Sequence, residues 1–180
     1  MEALTRMAQQ ANSDVIASAA AGDELAFRRI IAEHHEDMRR VCAYVTRDDA
    51  VADEAAYAAW AIAWTKIGSV REPASLRPWL TAVAVNEAKR LLRKRKRRAE
   101  IEVRADASGE PGGVDPATGI ASIDLRAAVE RLEPDDRALI AMRYVAGFNA
   151  SELAVATGKS PAATRQRLKR LLDRLREDLA

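Results

Sequence analysis

The side chains best suited to chemistry in this 180-residue sequence lie between Ser160 and Arg170. An arginine fork can bond a guanine edge in the major groove bidentately, and a glutamine amide can do the same for adenine. Arg165 and Gln166 are therefore the candidates for base readout. Arg167, Lys169 and Arg170 suit phosphate oxygens, which fix register and supply affinity without carrying sequence information. Ala162 and Ala163 are small enough to let a helix backbone come close to a duplex. The chemistry implied is recognition of DNA.

Such side chains need a helix held at a set angle, and the flanking residues provide for one. Asn149 is a natural cap for a first helix whose Leu153 and Ala154 face inward. Gly158 can take the left-handed conformation of a tight helix exit. Ser160 caps the next helix and Pro161 fills its first position, where the missing N–H costs nothing. Leu168, Leu171, Leu172 and Leu175 supply the buried face. Residues 148–170 therefore read as a helix-turn-helix whose second helix enters the major groove. A plain helical hairpin with a solvated basic face would carry the same charge, but it would not require cap, proline and glycine to agree.

A second basic stretch, KRLLRKRKRR at 89–98, holds eight basic residues in ten. It ends a helix with the apolar stripe Leu76, Trp79, Leu80, Val83, Ala84 and Leu91. Charges this dense repel one another and become favourable when a polyanion neutralises them; six phosphate contacts would make affinity fall roughly a thousandfold between low and moderate salt. Trp60, Trp64 and Trp79 could stack on unpaired bases if exposed. Burial in an alanine-built core is expected for at least two of them.

Other chemistries find little support. Asp48, Asp49, Asp53 and Glu54 cluster where a helix begins, which its dipole favours without any metal. His34 and His35 are adjacent, face different sides of a helix, and cannot form the i,i+4 metal pair. The single Cys42 falls in an apolar series and reads as a small buried hydrophobe. There is no glycine-rich phosphate loop and no nucleophile motif, so no enzyme, cofactor or metal is expected.

Apolar residues make up 48% of the chain but aromatics only 4%, with alanine prominent, which predicts an all-α protein. No apolar run is long enough to span a bilayer, and MEALTRMAQQ lacks the order of an export signal, so a cytoplasmic protein without membrane insertion is expected. Net charge is only +2. The basic block is followed by an acidic one, however: residues 100–121 concentrate Gly, Pro, Ser and acid and read as a flexible connector. The predicted plan is a flexible lead at 1–12, a helical domain at 13–99, an acidic linker at 100–121 and a helix-turn-helix domain at 122–180. In the first domain, Asp23 caps a helical stretch with Leu25, Phe27, Ile30, Ile31, Met38, Val41 and Val45 on one stripe. A second helix follows over Asp49 to Ile67. Gly68 to Pro73 breaks the pattern, and Ser75 and Pro78 begin a third.

GDELAF at Gly22 to Phe27, LRPWL at Leu76 to Leu80 with Asn86 behind it, LEPDDRALIAMRYVAGF at Leu132 to Phe148, and the helix-turn-helix occur in an order and spacing that resemble the extracytoplasmic-function (ECF) group of bacterial sigma factors. These are the two-domain promoter-recognition subunits of RNA polymerase. The resemblance covers nearly the whole chain. It implies core RNA polymerase and promoter DNA as partners, and an anti-sigma protein as a possible one. The second domain would read the minus-thirty-five element as duplex through Ser160, Ala162, Ala163, Arg165, Gln166, Arg167, Lys169 and Arg170. The first would melt the minus-ten element through Trp79, Asn86, Lys89, Arg90, Arg93 and Lys94, with the loop from Gly68 to Ser75 near an extruded base. The connector would lie in the polymerase's RNA path. Clamp binding would fall to Asp53, Glu54, Tyr57 and Trp60, although Tyr57 and Ala58 stand where Gln and Glu are typical. With the sequence ending at Ala180, the shorter members without an appended domain are the expected match. The rival reading is a stand-alone helix-turn-helix regulator, which needs only the second domain.

Overall fold

A computed structural model describes residues 2–105 and 120–179. Among the described residues the regular elements are all helical. Helix α1 (Glu2–Ala20) lacks proline and glycine and is rich in alanine, and its Ile16 and Ala19 are buried. The expected flexible lead at 1–12 is thus helical from Glu2, because nothing in it breaks a helix that later residues anchor.

Helix α2 (Glu24–Thr46) starts where Asp23 Oδ1 accepts from the Leu25 and Ala26 N–H groups at 2.8 and 3.2 Å. It stops at Arg47, which takes the left-handed conformation with φ 61°. Phe27, Ile30, Met38, Val41 and Val45 are buried as the stripe requires, but Leu25 lies off it and is 67% exposed. Asp48 caps helix α3 (Asp49–Lys66) through the Val51 N–H at 3.0 Å. Ala52, Ala55, Ala56, Ala59 and Ala63 are all fully buried, which brings α3 close to α2 and to helix α4 (Leu76–Ala105). Two short 3-10 turns, Ile67–Ser69 and Pro73–Ser75, fill the break between α3 and α4. Helix α4 meets no proline or glycine after Pro78 and runs through Ala105, past the predicted boundary at 99. The rest of the expected connector, 106–119, lies outside the described residues.

The second unit comprises α5 (Ile120–Arg131), α6 (Pro134–Ile140), a π-helical turn (Ala141–Val145), α7 (Ala150–Thr157) and α8 (Pro161–Glu177). Gly147, at φ 71°, redirects the chain between the π turn and α7. The two units do not keep separate cores. Helix α6 and the π turn pack on α2, and α7 packs on α4, so Leu139, Met142, Phe148 and Leu153 join one buried cluster with the first unit. No helix among the described residues is long and apolar enough to cross a membrane.

Candidate nucleic-acid interface

The helix-turn-helix is tied at each corner. Asn149 Oδ1 accepts from the Ser151 and Glu152 N–H groups at 2.9 and 3.0 Å, while Glu152 returns a carboxylate to the Asn149 N–H at 2.8 Å. This capping box satisfies free donors at the start of α7 reciprocally. Gly158 turns out of α7 at φ 64°. Ser160 Oγ accepts from the Ala163 N–H at 3.2 Å, and Pro161 opens α8. Thr164 is buried, with its hydroxyl on the Ser160 carbonyl at 3.0 Å, and fixes the roll of α8 on α7.

That roll separates α8 into two faces. Ala162, Ala163, Arg165, Gln166, Lys169 and Arg170 are exposed, as is the cap Ser160, while Thr164, Leu171 and Leu175 are buried. Among the described residues Arg165, Lys169 and Arg170 make no ion pair. Arg167 behaves differently: its Nε and Nη2 bond Asp136 Oδ1 at 3.1 and 2.7 Å, and Arg174 Nη2 bonds Asp136 Oδ2 at 2.9 Å. Asp136 sits in the first turn of α6 with its side chain 15% exposed. Arg167, expected among the phosphate-binding residues, is engaged here in fixing α8 to α6.

The basic end of α4 is partly neutralised. Lys89 Nζ meets Asp135 Oδ1 of α6 at 2.8 Å, which holds the Asp135 carboxyl below the usual carboxylate range. Arg90 pairs with Glu87 and Arg95 with Asp48, each at 2.7 Å. The Val51 N–H and, next, Arg95 hold Asp48 low in the same way. Asn86, Arg93 and Lys94 are exposed, and Arg93 and Lys94 make no ion pair among the described residues. Trp79 is half-buried against the core. Trp64 keeps 39% exposure with its ring 4.9 Å from that of Phe27.

On α3, Glu54 is exposed, Asp53 lies 3.8 Å from Arg39, and Tyr57 is 67% exposed over the His35 ring. Trp60 is buried: its ring meets Phe27 edge-on and its indole N–H donates to His35 Nδ1 at 3.1 Å. Trp60 therefore supports this face from beneath, while Asp53, Glu54 and Tyr57 form it.

Several residues that organise the interface carry no local sequence signal. Arg77 bonds Asp37 Oδ2 at 3.0 and 3.2 Å, donates to the Ala146 carbonyl, and lies 4.8 Å from the centre of the Phe148 ring. Burial works against the Asp37 carboxylate, but hydrogen bonds from Arg40 and Arg77 bring its pKa below the ordinary value. Arg137 donates through Nε and Nη2 to the Val45 carbonyl at 3.0 and 2.8 Å, and through Nη1 to the Leu132 carbonyl at 2.6 Å. Elsewhere, burial pushes the Cys42 thiol up to about 12 and lowers the His34 pKa, so the thiol stays protonated at neutral pH.

Two family models match the chain: "Sigma-70 region 2" over residues 30–98 and "Sigma-70, region 4" over residues 122–175. The probable RNA polymerase sigma factor RfaY of Xanthomonas campestris is 29% identical over 170 residues, covering 89% of this chain and 42% of that protein. The ECF RNA polymerase sigma factor SigM of Mycobacterium tuberculosis is 26% identical over 169 residues, covering 93% of this chain and 84% of that one. The chain thus spans about two fifths of the first relative and most of the second. Among solved structures, the sigma factor RpoE of Bartonella quintana, in complex with the anti-sigma factor NepR, superposes with a TM-score of 0.65. That match has 24% identity and covers 85% of this chain and 96% of that one, a likeness of fold.

Proposed function

The chain belongs to the ECF group of the sigma-70 family of RNA polymerase sigma factors, and on that premise we propose that it directs core RNA polymerase to specific promoters. In this reading α8 binds the minus-thirty-five element as duplex, with Arg165 and Gln166 on base edges and Lys169 and Arg170 on phosphates. The exposed end of α4, with Asn86, Arg90, Arg93 and Lys94, binds the minus-ten element, and Lys89 joins it once released from Asp135. Asp53, Glu54 and Tyr57 present a surface to the polymerase clamp. The chain works in the cytoplasm as a non-catalytic initiation factor, and a protein resembling an anti-sigma factor is a proposed inhibitory partner.

The observation that carries this reading is the pairing of two units in one chain: a region-2 unit ending in an exposed basic helix, and a region-4 unit in which the exposed Arg165, Lys169 and Arg170 make no ion pair among the described residues. A stand-alone regulator would use only the second. Transcription in vitro with purified core polymerase on promoter fragments should give defined start sites that vanish without the chain. Tight sequence-specific duplex binding without core, and no transcription with it, would reject the proposal. Within it, Arg165→Ala should cost about 1–3 kcal/mol of discrimination at one base pair of the minus-thirty-five element, read by competition binding. A loss spread evenly over all sequences would place Arg165 on phosphate instead.

A further inference from the structure

Four rings fix one another where α2 and α3 meet. The Phe27 ring lies edge-on to the buried Trp60 indole, with centres 5.8 Å apart. The indole N–H donates to Nδ1 of His35, on α2, at 3.1 Å. An indole nitrogen can only donate, so the histidine nitrogen facing it carries no proton and the single hydrogen of the neutral ring sits on Nε2. Tyr57 lies over the His35 ring with centres 5.5 Å apart and is itself 67% exposed. His35 is half-buried, and its Nε2–H makes no hydrogen bond among the described residues. No buried side-chain nitrogen or oxygen among them lacks a partner, so Nε2 must reach solvent. Nearby carboxylates are drawn elsewhere: Arg39, one turn along α2, pairs with Glu36, Asp49 and Asp53 at 3.3, 3.3 and 3.8 Å.

We propose that His35 is a specificity-determining residue of the face formed by Asp53, Glu54 and Tyr57, where it donates its Nε2–H to a carbonyl oxygen of the polymerase, and that Trp60 is the positioning residue that locks its tautomer. The inference rests on the reading of that face as the polymerase surface. A neutral acceptor fits the surroundings. Asp53 and Glu54 stand one turn before Tyr57 on α3, and Glu36 follows His35 on α2, so a carboxylate from the partner would meet like charge. The lock matters because the other tautomer would set two N–H groups against each other across 3.1 Å and turn the surface nitrogen into an acceptor, which rejects the same carbonyl. A ring already held between Trp60 and Tyr57 also loses little freedom on binding, so more of the hydrogen bond appears as affinity.

The test measures affinity of the full chain for purified core polymerase, by competition with a labelled copy, with helical circular dichroism reporting that each variant is folded. His35→Phe keeps a ring against Tyr57 but offers no donor, and should weaken binding about two- to tenfold, the range of one hydrogen bond. His35→Gln, whose amide can place an N–H near the Nε2 position, should recover most of that loss. Trp60→Phe keeps an aromatic ring against Phe27 and removes the indole N–H. Imidazole nitrogen chemical shifts in the isolated chain, assigned by their absence in His35→Phe, should pass from a single Nε2–H form to a mixture of tautomers, with a smaller loss of affinity. The His35→Phe factor should be the same at low and moderate salt, because the acceptor is neutral. A factor that vanishes as salt rises would place a charge opposite His35 and reject the carbonyl. Unchanged affinity in His35→Phe, a His35→Gln loss as large as that of His35→Phe, or a proton found on Nδ1 in the unaltered chain would overturn the proposal. Glu54→Ala and Tyr57→Ala separate the two levels. If they weaken binding and His35→Phe does not, only the His35 assignment fails; if none of the three does, the reading of the face as the polymerase surface fails with it.

Discussion

Helix α8 divides its basic residues between base-facing positions and a brace, whereas on α4 the reach of nearby acids decides which of them are paired. On α8, Arg165, Lys169 and Arg170 are exposed and make no ion pair among the described residues, while Arg167 and Arg174 bond Asp136. On α4, Lys89 and Arg90 are paired, Arg95 reaches Asp48, and Arg93 and Lys94 make no ion pair among the described residues. Amphipathic periodicity explains the first pattern, because a leucine stripe needs one face and leaves the other to solvent. The second pattern comes from Glu87 on α4 itself and from two acids on other elements, Asp135 of α6 and Asp48 ahead of α3. Adjacent carboxylates on α6 serve both helices: Asp135 crosses to α4 of the other unit, and Asp136 braces α8 within its own. The lesson is that basic residues alone do not define a nucleic-acid surface; the placement of nearby acids decides which of them stay available.

The largest expected effect tests whether the two helices rest on one shared core. Phe148→Ala removes a fully buried ring that lies between Arg77 of the first unit and the helix-turn-helix, and should cost about 3–5 kcal/mol in urea unfolding. Because the cluster spans both units, a single transition should shift as a whole. Two transitions, of which only the one from the second unit moves, would show instead that the helices stand on separate supports.

Next in size comes the brace on α8. Asp136→Ala removes three charge-assisted hydrogen bonds at a mostly buried carboxylate and should destabilise the fold by about 1.5–3 kcal/mol. Duplex binding through α8 should weaken with it, since the recognition helix loses its tie to α6. Asp135→Asn, one residue away, should cost under about 1 kcal/mol, as an exposed pair does. Equal costs at the two positions would erase the distinction between brace and competitor. Ser160→Ala follows at about 1 kcal/mol, the usual loss for a helix N-cap, read by thermal unfolding.

How much of this could be read beforehand differs between the helices for the same reason. The α7–α8 motif rests on contacts between near neighbours, so Asn149, Gly158, Ser160 and Pro161 were legible, and the structure places each in its expected role. The stripes of α2 and the alanines of α3 were legible through their spacing. Pairs such as Lys89 with Asp135, or Arg137 with Val45, join residues 46 and 92 positions apart and leave no periodic trace. The docking of the two units and the capture of Arg167 were hidden for that reason. The helix at the N-terminus was missed differently: alanine and polar residues look unstructured when their few apolar anchors, Ile16 and Ala19, come late. The π turn depends on a backbone register that side-chain pattern does not encode.

The smallest stability effect is the most informative about α4. Arg93 and Lys94 are exposed and make no ion pair among the described residues, so replacing each with alanine should change stability by no more than about 0.5 kcal/mol. If they contact phosphates, each replacement should reduce the slope of log affinity against log salt by about 0.7 for a single strand and about 0.9 for a duplex. Lys89→Ala should behave otherwise. Its charge is already balanced by Asp135, so its removal deletes a phosphate contact and a docking contact together. The slope should fall as before, but affinity should fall less, because a phosphate at Lys89 first has to displace Asp135. A Lys89→Ala loss equal to that of Arg93→Ala would mean that Asp135 does not compete with the nucleic acid. The two basic helices would then differ in pattern but not in how their charge is held.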